Sequence, residues 1–315
     1  MKSTIEEVAE VLGELGQRHF PVASLTTYKV GGTAALFCRV DDVETLIRVT
    51  QIARDSSTQL VVLGRGSNSL FADSEFAGIV LQLGDFAQQL VLPEQNQNSV
   101  VAGSAVALPV MARRTAGAGL RGFEWAVGVP GTVGGAIKMN AGGHGSDIAE
   151  SLVSARVFSC QSGEVRDIEK ADFGLRFRGS AIPDDDVIID ATFQLTWGDS
   201  SEALGVIDDI VKWRRENQPG GQNAGSVFVN PVPGEITAGE LIDQCGLRGF
   251  RIGSAEVSVK HANFIQADPG GRASDVVAVM NHVQAVVQQK FGFNLRSEVR
   301  LIGWTHEISA RGSDE

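Results

Sequence analysis

Residues 128–145 read GVPGTVGGAIKMNAGGHG, seven glycines in eighteen positions. Glycine loses the most backbone freedom on folding and brings no side chain to pack, so such a density weakens any regular element. The stretch is therefore expected to be mostly irregular. It is not a linker, which would be richer in Ser, Glu and Lys. Pro130 stiffens it, and Val129, Val133, Ile137 and Met139 anchor it in a core. With side chains stripped at Gly131, Gly134 and Gly135, its backbone suits close approach to a flat ring or a diphosphate. The whole chain carries 37 glycines in 315 residues without a collagen-like period, and the excess is read in the same way.

That length suggests two domains or three small ones. Apolar residues make up 43% and charged residues 21%, which supports a core of normal size. A net charge of −11 argues against nucleic acid as a partner. It leaves room for an anionic small molecule, because local basic clusters outweigh the global sign. Two such clusters are Lys212, Arg214 and Arg215, then Arg248, Arg251, Lys260 and His261. Cys38, Cys160 and Cys245 are scattered and odd in number, which suits a reducing compartment and argues against zinc. No apolar run is long enough to span a bilayer, and MKSTIEEVAEVLGEL is acidic and amphipathic rather than a signal peptide. A cytoplasmic location follows.

Periodicity predicts a helix over 3–16 with Ser3 and Glu6 at capping-box spacing. TTYKVGGTAALFCRV (26–40) reads as strand, glycine turn, strand. A helix is expected over 41–55, with Val43, Leu46, Ile47, Thr50 and Ala53 on one face. LVVLGRGSNSLF (60–71) is a buried strand entering a glycine turn, and 79–83 is a further strand. Strands are expected at 99–106, 152–160 and 187–197, and a helix at 108–120. Beyond about 200 lie a helix (201–217), a strand at NAGSVFVNP (223–231) and a short helix (237–246). A long helix over 274–292 follows, capped by Ser274, with Val276, Met280, Val283, Val287 and Phe291 facing the core. LRSEVRLIG (295–303) closes as a strand.

Four stretches carry chemistry. GRGSN exposes backbone N–H groups and two short polar side chains, Ser67 and Asn68, at a strand tip, which suits a phosphate. It is not GxGxxG, and no acidic residue follows at ribose-reading distance, so it is not a dinucleotide fingerprint. The glycine-rich stretch is the second. In LRFRGS (175–180), an extended chain puts Arg176, Arg178 and Ser180 on one face; in LRSEVRLIG, Arg296, Glu298, Arg300 and Ile302 share one. Either is equally a surface ladder. In NAGSVFVNP, alternation groups Ser226 and Asn230 with Phe228.

TTYKVGG, VLGRGSNSL, GVPGTVGGAIKMNAGG, NAGSVFVNP, AGELIDQCGLRGFRIG, KHANFI and LRSEVRLIG, in this order from about Leu25 to Gly303, resemble the UDP-N-acetylenolpyruvoylglucosamine reductase family (UDP-N-acetylmuramate dehydrogenases) of peptidoglycan synthesis. The resemblance implies an α+β fold: a two-lobed FAD-binding domain of vanillyl-alcohol-oxidase (PCMH) type, then an α+β substrate-binding domain. The corresponding divisions are an N-terminal helix (1–24), lobes at 25–85 and 86–200, a substrate domain at 201–303 and a polar tail at 304–315. It implies that NADPH reduces FAD and that hydride then passes to the enolpyruvyl ether of UDP-N-acetylglucosamine.

By the same resemblance Ser226 is the proton donor, and Arg178 and Glu298 are catalytic. Glu298 would stabilise charge on the substrate only if burial kept it protonated. Cofactor contacts fall on Tyr28, Gly31, Gly64, Arg65, Gly66, Ser67, Asn68, Ser69, Gly128, Pro130, Gly131, Thr132, Gly134, Gly135, Asn140 and Ala141. The resemblance makes Asn230 a substrate contact; the basic clusters, not the resemblance, add Arg214, Lys260 and His261 as expected contacts to the substrate's diphosphate or carboxylate. The family's habit implies a monomer with small-molecule partners, and neither nucleic acid nor membrane. The chain departs from the family's usual residues at Arg65, Phe177 and Val229, and it lacks room for the tyrosine-bearing insert of the long type. Two other readings stay open: another FAD oxidoreductase of this fold, and a nucleotide-sugar binder without catalysis.

Overall fold

The computed structural model describes residues 3–94 and 97–304. Among these, the helices are α1 Ile5–Leu12, α2 Val43–Asp55, α3 Leu108–Gly117, α4 Val133–Lys138, α5 Ile148–Ser151, α6 Ser200–Asn217, α7 Ala238–Gln244 and α8 Ala273–Phe291. The chain forms two compact units. The first takes residues up to Arg18, Leu36–Arg65 and Gly78–Arg214; the second takes His19–Ala35, Gly66–Ala77 and residues from Arg215 on.

The first unit is built on two sheets. One joins residues 36–40, 78–83 and Leu60–Val62 in that order, and its last two strands run parallel with Leu60 opposite Ile79. Its core joins Leu36, Cys38, Ile79 and Leu81 to Val8 and Leu12 of α1 and Leu46, Val49 and Ala53 of α2. The other is antiparallel, in the order Val165–Glu169, Leu152–Phe158, Val187–Gln194, Ser99–Gly103, Leu90–Val91. Small residues meet across it, with Ala191 opposite both Ala155 and Ala102. That leaves room for Met111 and Ala112 of α3 and Val133 and Ile137 of α4 in the core beside it. Phe123 sits there between Trp125 and Phe193, with ring centroids 5.5 and 5.4 Å away.

In the second unit a small antiparallel sheet (Arg251–Ile252, Ala255–Val257, Ile265–Ala267) buries Ala255, Val257 and Ile265 with Leu241 and Ile242 of α7 and Val276, Val279, Met280, Val283 and Val287 of α8. Ser69–Phe71 and Arg300–Ile302 pair in parallel, Ser69 opposite Arg300.

Several local expectations are corrected. Thr4, not Ser3, caps α1, with Glu7 completing the box, so the pattern is shifted by one residue. No strand forms over 26–32; the first begins at Thr33. The glycine-rich stretch contains a helix, α4, because Thr132 caps it by accepting from the Gly135 N–H. Only Arg300–Ile302 of the closing segment is strand. All but Trp304 of the expected tail lies outside the described residues.

The cap of α8 is also not Ser274. The carboxylate of Asp73, some two hundred residues away, accepts from Ala273 N at 2.8 Å and Ser274 N at 3.0 Å. Burial raises the Asp73 pKa, but the bonds from Ser274 and Ala273 and the charge of Arg272 outweigh it and hold it below the ordinary 3.8. A carboxylate at a helix N-terminus satisfies orphan N–H groups and opposes the helix dipole. Asp73→Ala is expected to cost about 1–2 kcal/mol at neutral pH in urea denaturation. Because the folded-state pKa is depressed, this stabilisation is complete above the unfolded value and lost as pH falls through the folded one. The gap between wild type and variant should therefore narrow as pH falls below the ordinary carboxylate range; a gap that does not narrow on acidification, or none at pH 7, would contradict the cap.

Candidate active site

In the first unit, two of the chemistry-bearing stretches meet. A Cβ at Gly64 would lie 2.5 Å from Thr132 Oγ1, so only glycine lets the tip after Leu60–Val62 lie on the cap of α4. Gly134 likewise rests on Ser104, donating its N–H to the Ser104 carbonyl at 2.9 Å, and a Cβ there would lie 2.8 Å from the Ser104 Cβ. Ser104 Oγ and Trp125 Nε1 are buried without a partner among the described residues. Arg65 is exposed. Asn140 commits its side chain to the fold: Oδ1 accepts from Ala149 N, and Nδ2 donates to Asp147 and to the Arg176 carbonyl.

LRFRGS is not extended. Arg176 and Gly179 exchange backbone hydrogen bonds of 2.9 and 3.1 Å, which makes Phe177–Arg178 a tight turn with Arg178 at φ +57°. Arg176, Arg178 and Ser180 therefore do not line one face. The Arg178 guanidinium lies 5.1 Å from the centroid of the Phe177 ring and donates to the Gly142 carbonyl at 3.2 Å. The phenylalanine thus supports the arginine through its face, without a hydroxyl.

Arg214, half-buried, packs its stem where a side chain on residue 128 would lie, 3.2 Å from a Gly128 Cβ. Burial alone lowers its pKa, and no carboxylate offsets it among the described residues. His144 stacks edge-on against Trp213 at 5.1 Å, and burial followed by the charge of Arg214 pushes its pKa down.

In the second unit, NAGSVFVNP is not a regular strand. Asn223 Oδ1 accepts from Gly225 N at 3.0 Å, an Asx turn that Gly225 completes at φ +77°. From Ser226 on, the backbone is held on both sides. Val227 N donates to the Asn263 carbonyl and its own carbonyl accepts from Glu298 N, both at 2.8 Å. The Asn263 side-chain amide replaces a missing strand: its Oδ1 accepts from Phe228 N at 3.0 Å and its Nδ2 donates to the Phe228 carbonyl at 2.8 Å. Val229 N donates to the Arg296 carbonyl at 3.0 Å. Val227, Phe228 and Val229 are all buried, so the expected two-faced alternation does not hold.

Glu298 and Ser226 are both half-buried. The Glu298 carbonyl accepts from Asn68 Nδ2 at 2.9 Å, so Asn68 secures this segment rather than standing free at a phosphate cradle. Gly66 sits at φ +56°, with room for a Cβ blocked at 2.3 Å by the Leu25 carbonyl. Tyr28 is fully buried with its hydroxyl unpartnered, as is Thr27 Oγ1, and burial raises the phenol pKa. Asn230 Oδ1 accepts from Ala238 N at 3.1 Å, tying the stretch to α7.

The second basic cluster is largely neutralised. Arg248 pairs with Asp243 at 2.5 Å, and Arg251 with Glu256 and Asp268, both at 2.6 Å. Lys260 donates to the Arg215 carbonyl. His261 Nδ1 accepts from Asn263 N at 3.2 Å, which places its proton on Nε2; burial and then Arg248 push its pKa down. With Thr237, Glu240, Asp243 and Arg248 it lines a cavity of about 190 Å³.

Residues 34–169 match the profile of an FAD binding domain, and 217–302 match that of the UDP-N-acetylenolpyruvoylglucosamine reductase C-terminal domain. Reductases of that name are 40% identical in a Synechococcus species (91% of this chain, 94% of that one) and 36% identical in Halalkalibacterium halodurans (90% and 92%). The chain belongs to the UDP-N-acetylenolpyruvoylglucosamine reductase family. The crystal structure of the Thermus caldophilus member superposes with a TM-score of 0.78 at 30% identity, covering 91% of this chain and 98% of that one. This reductase is therefore an FAD-dependent oxidoreductase with the expected α+β architecture.

The residues present fit FAD on this structure's own terms. Buried polar atoms demand partners, and four of the buried side-chain atoms that have none among the described residues, Ser104 Oγ, Trp125 Nε1, Thr27 Oγ1 and Tyr28 Oη, lie on or beside stretches expected to hold the cofactor. Of these only Tyr28 was expected; Ser104 and Trp125 are ordinary in sequence, one ending an apolar strand and the other inside an apolar run. Asn263 was missed as well, since nothing in KHANFI distinguishes a side chain that imitates backbone. Replacing it with Asp should cost roughly 2–4 kcal/mol in urea denaturation, because a carboxylate cannot donate to the buried Phe228 carbonyl; equal stability would refute the clamp.

Proposed function

We propose that this reductase converts UDP-N-acetylglucosamine enolpyruvate to UDP-N-acetylmuramate, with NADPH as electron source, as a cytoplasmic monomer of the short-loop type. Among the described residues, no helix is long and apolar enough to cross a membrane. The observation that carries the reading is the double backbone clamp on the stretch that starts at Ser226. A weak acid serves as proton donor only if it is held within reach of a strongly basic carbon.

Gly64 and 128–135 with Thr132 are assigned to hold FAD in the first unit, and Tyr28 and 66–69 are assigned to it in the second; when bound, it would supply the hydride that NADPH delivers. Hydride addition at the terminal carbon of the enolpyruvyl ether leaves electron density on the neighbouring carbon and the carboxylate. Arg178, fixed by Phe177 and the Gly142 carbonyl, stabilises that charge as it grows. Ser226 gives its proton to the neighbouring carbon, forming the lactyl ether. Glu298, anchored at both its N–H and its carbonyl, completes the catalytic set.

Arg214, a half-buried cation with no carboxylate beside it among the described residues, is assigned to the anionic groups of the substrate. Asn230 spends its oxygen on α7 and offers its N–H donors; Lys260 and His261 are assigned to the same substrate. The Asn140 amide is committed to the fold, so its share in the cofactor loop is through main chain.

Stopped-flow absorbance tests the assignment. Ser226→Ala should be reduced by NADPH at close to the wild-type rate but reoxidised by the enolpyruvyl substrate about 10²–10⁴-fold more slowly. Unchanged turnover would remove Ser226 from its role, and wild-type enzyme that stays reduced with this substrate would remove the substrate assignment.

A further inference from the structure

Resting on the assignment of Arg178 above, we infer that Lys138 is a positioning residue that fixes the Arg178 turn through the carbonyls of Ile182 and Pro183. The turn is not self-sustaining. Arg178 occupies left-handed backbone at φ +57°, a conformation that L-residues other than glycine hold only where their surroundings over-determine it. Ala181 N donates to the Phe173 carbonyl at 2.8 Å, and three further ties come from one short stretch, the end of α4 and the turn that follows. On the near side, Asn140 Nδ2 donates to the Arg176 carbonyl at 3.3 Å. At the guanidinium, the Gly142 carbonyl accepts from Nη2. On the far side, Ser180 Oγ donates to the Lys138 carbonyl at 2.9 Å.

The Lys138 side chain closes that far side. Its ammonium donates to the Ile182 carbonyl at 2.7 Å and to the Pro183 carbonyl, and lies 3.4 Å from the Asp184 carboxylate. These match the three donors of an ammonium. The side chain is only 16% exposed. Burying an ammonium is costly unless every donor is met, and an apolar residue at the end of α4 would fill the space without that cost. What the lysine adds is a fixed path for 182–184, and hence a fixed exit from the turn carrying Arg178. Displacement of a catalytic group by about 1 Å costs on the order of 10²-fold in rate.

The experiment compares Lys138→Met, Lys138→Arg, Arg178→Ala and the double variant Lys138→Met/Arg178→Ala, each purified with FAD bound, in both half-reactions. Lys138→Met should keep its flavin and its rate of reduction by NADPH, yet be reoxidised by substrate about 10–100-fold more slowly, with Lys138→Arg recovering most of the loss. In the double variant, Lys138→Met should add less than about twofold to the Arg178→Ala defect, because both act through one group. Equal slowing of both half-reactions, or a full additional loss in the double variant, would make Lys138 merely structural and overturn the inference. A normal Lys138→Met beside a slow Arg178→Ala overturns it alone, whereas a normal Arg178→Ala removes the catalytic reading and this inference with it. If Lys138→Met does not fold, Ser180→Ala, which cuts the other tie on the same side, must show the same pattern.

Discussion

One side-chain amide holds the stretch of the second unit to which the proposed chemistry is assigned. Asn263 bonds both backbone groups of Phe228 and its carbonyl takes the N–H of Val227. Those bonds substitute for a neighbouring strand on one side of a segment too short and too irregular to join a sheet. On the other side, Arg296 and Glu298 supply the partners. Buried backbone groups must be paired, so without Asn263 this path for the chain would not be favourable. The position of Ser226, and the register that brings Glu298 opposite Val227, both follow from it.

Of the six described non-glycine residues at positive φ, His19, Lys29, Ser57, Asn140, His144 and Arg178, four lie on or next to stretches assigned to function: Lys29, Asn140, His144 and Arg178. Such conformations cost energy and persist only where the surroundings hold them. The holding groups here are ordinary: an asparagine amide, a lysine ammonium, a serine hydroxyl. Stability is given up at the turn so that a guanidinium points one way.

Glycine has a different job from the one its abundance suggests. Gly64, Gly66 and Gly134 lie where a Cβ would meet Thr132, Leu25 or Ser104, so their first use is to let protein pack on protein. A ligand gains from this indirectly, since segments that close this tightly leave their polar ends, such as Ser104 Oγ and Tyr28 Oη, buried and unspent.

The sequence alone determined the family, the α+β architecture and most helix positions, and it nominated Ser226, Arg178 and Glu298 for the proposed chemistry. Hydrophobic period is a local property, and seven ordered motifs survive linear reading. Tertiary structure decided what those residues rest on. Asp73 caps α8 in place of Ser274, Asn263 stands in for a strand, LRFRGS turns rather than extends, and the cations at 248 and 251 are spent on carboxylates. Each of these is a hydrogen bond or ion pair whose partner is chosen by proximity in space. Periodicity reports which face of a segment is apolar; it carries no information about which distant polar group will arrive there to meet an unpaired N–H or carbonyl.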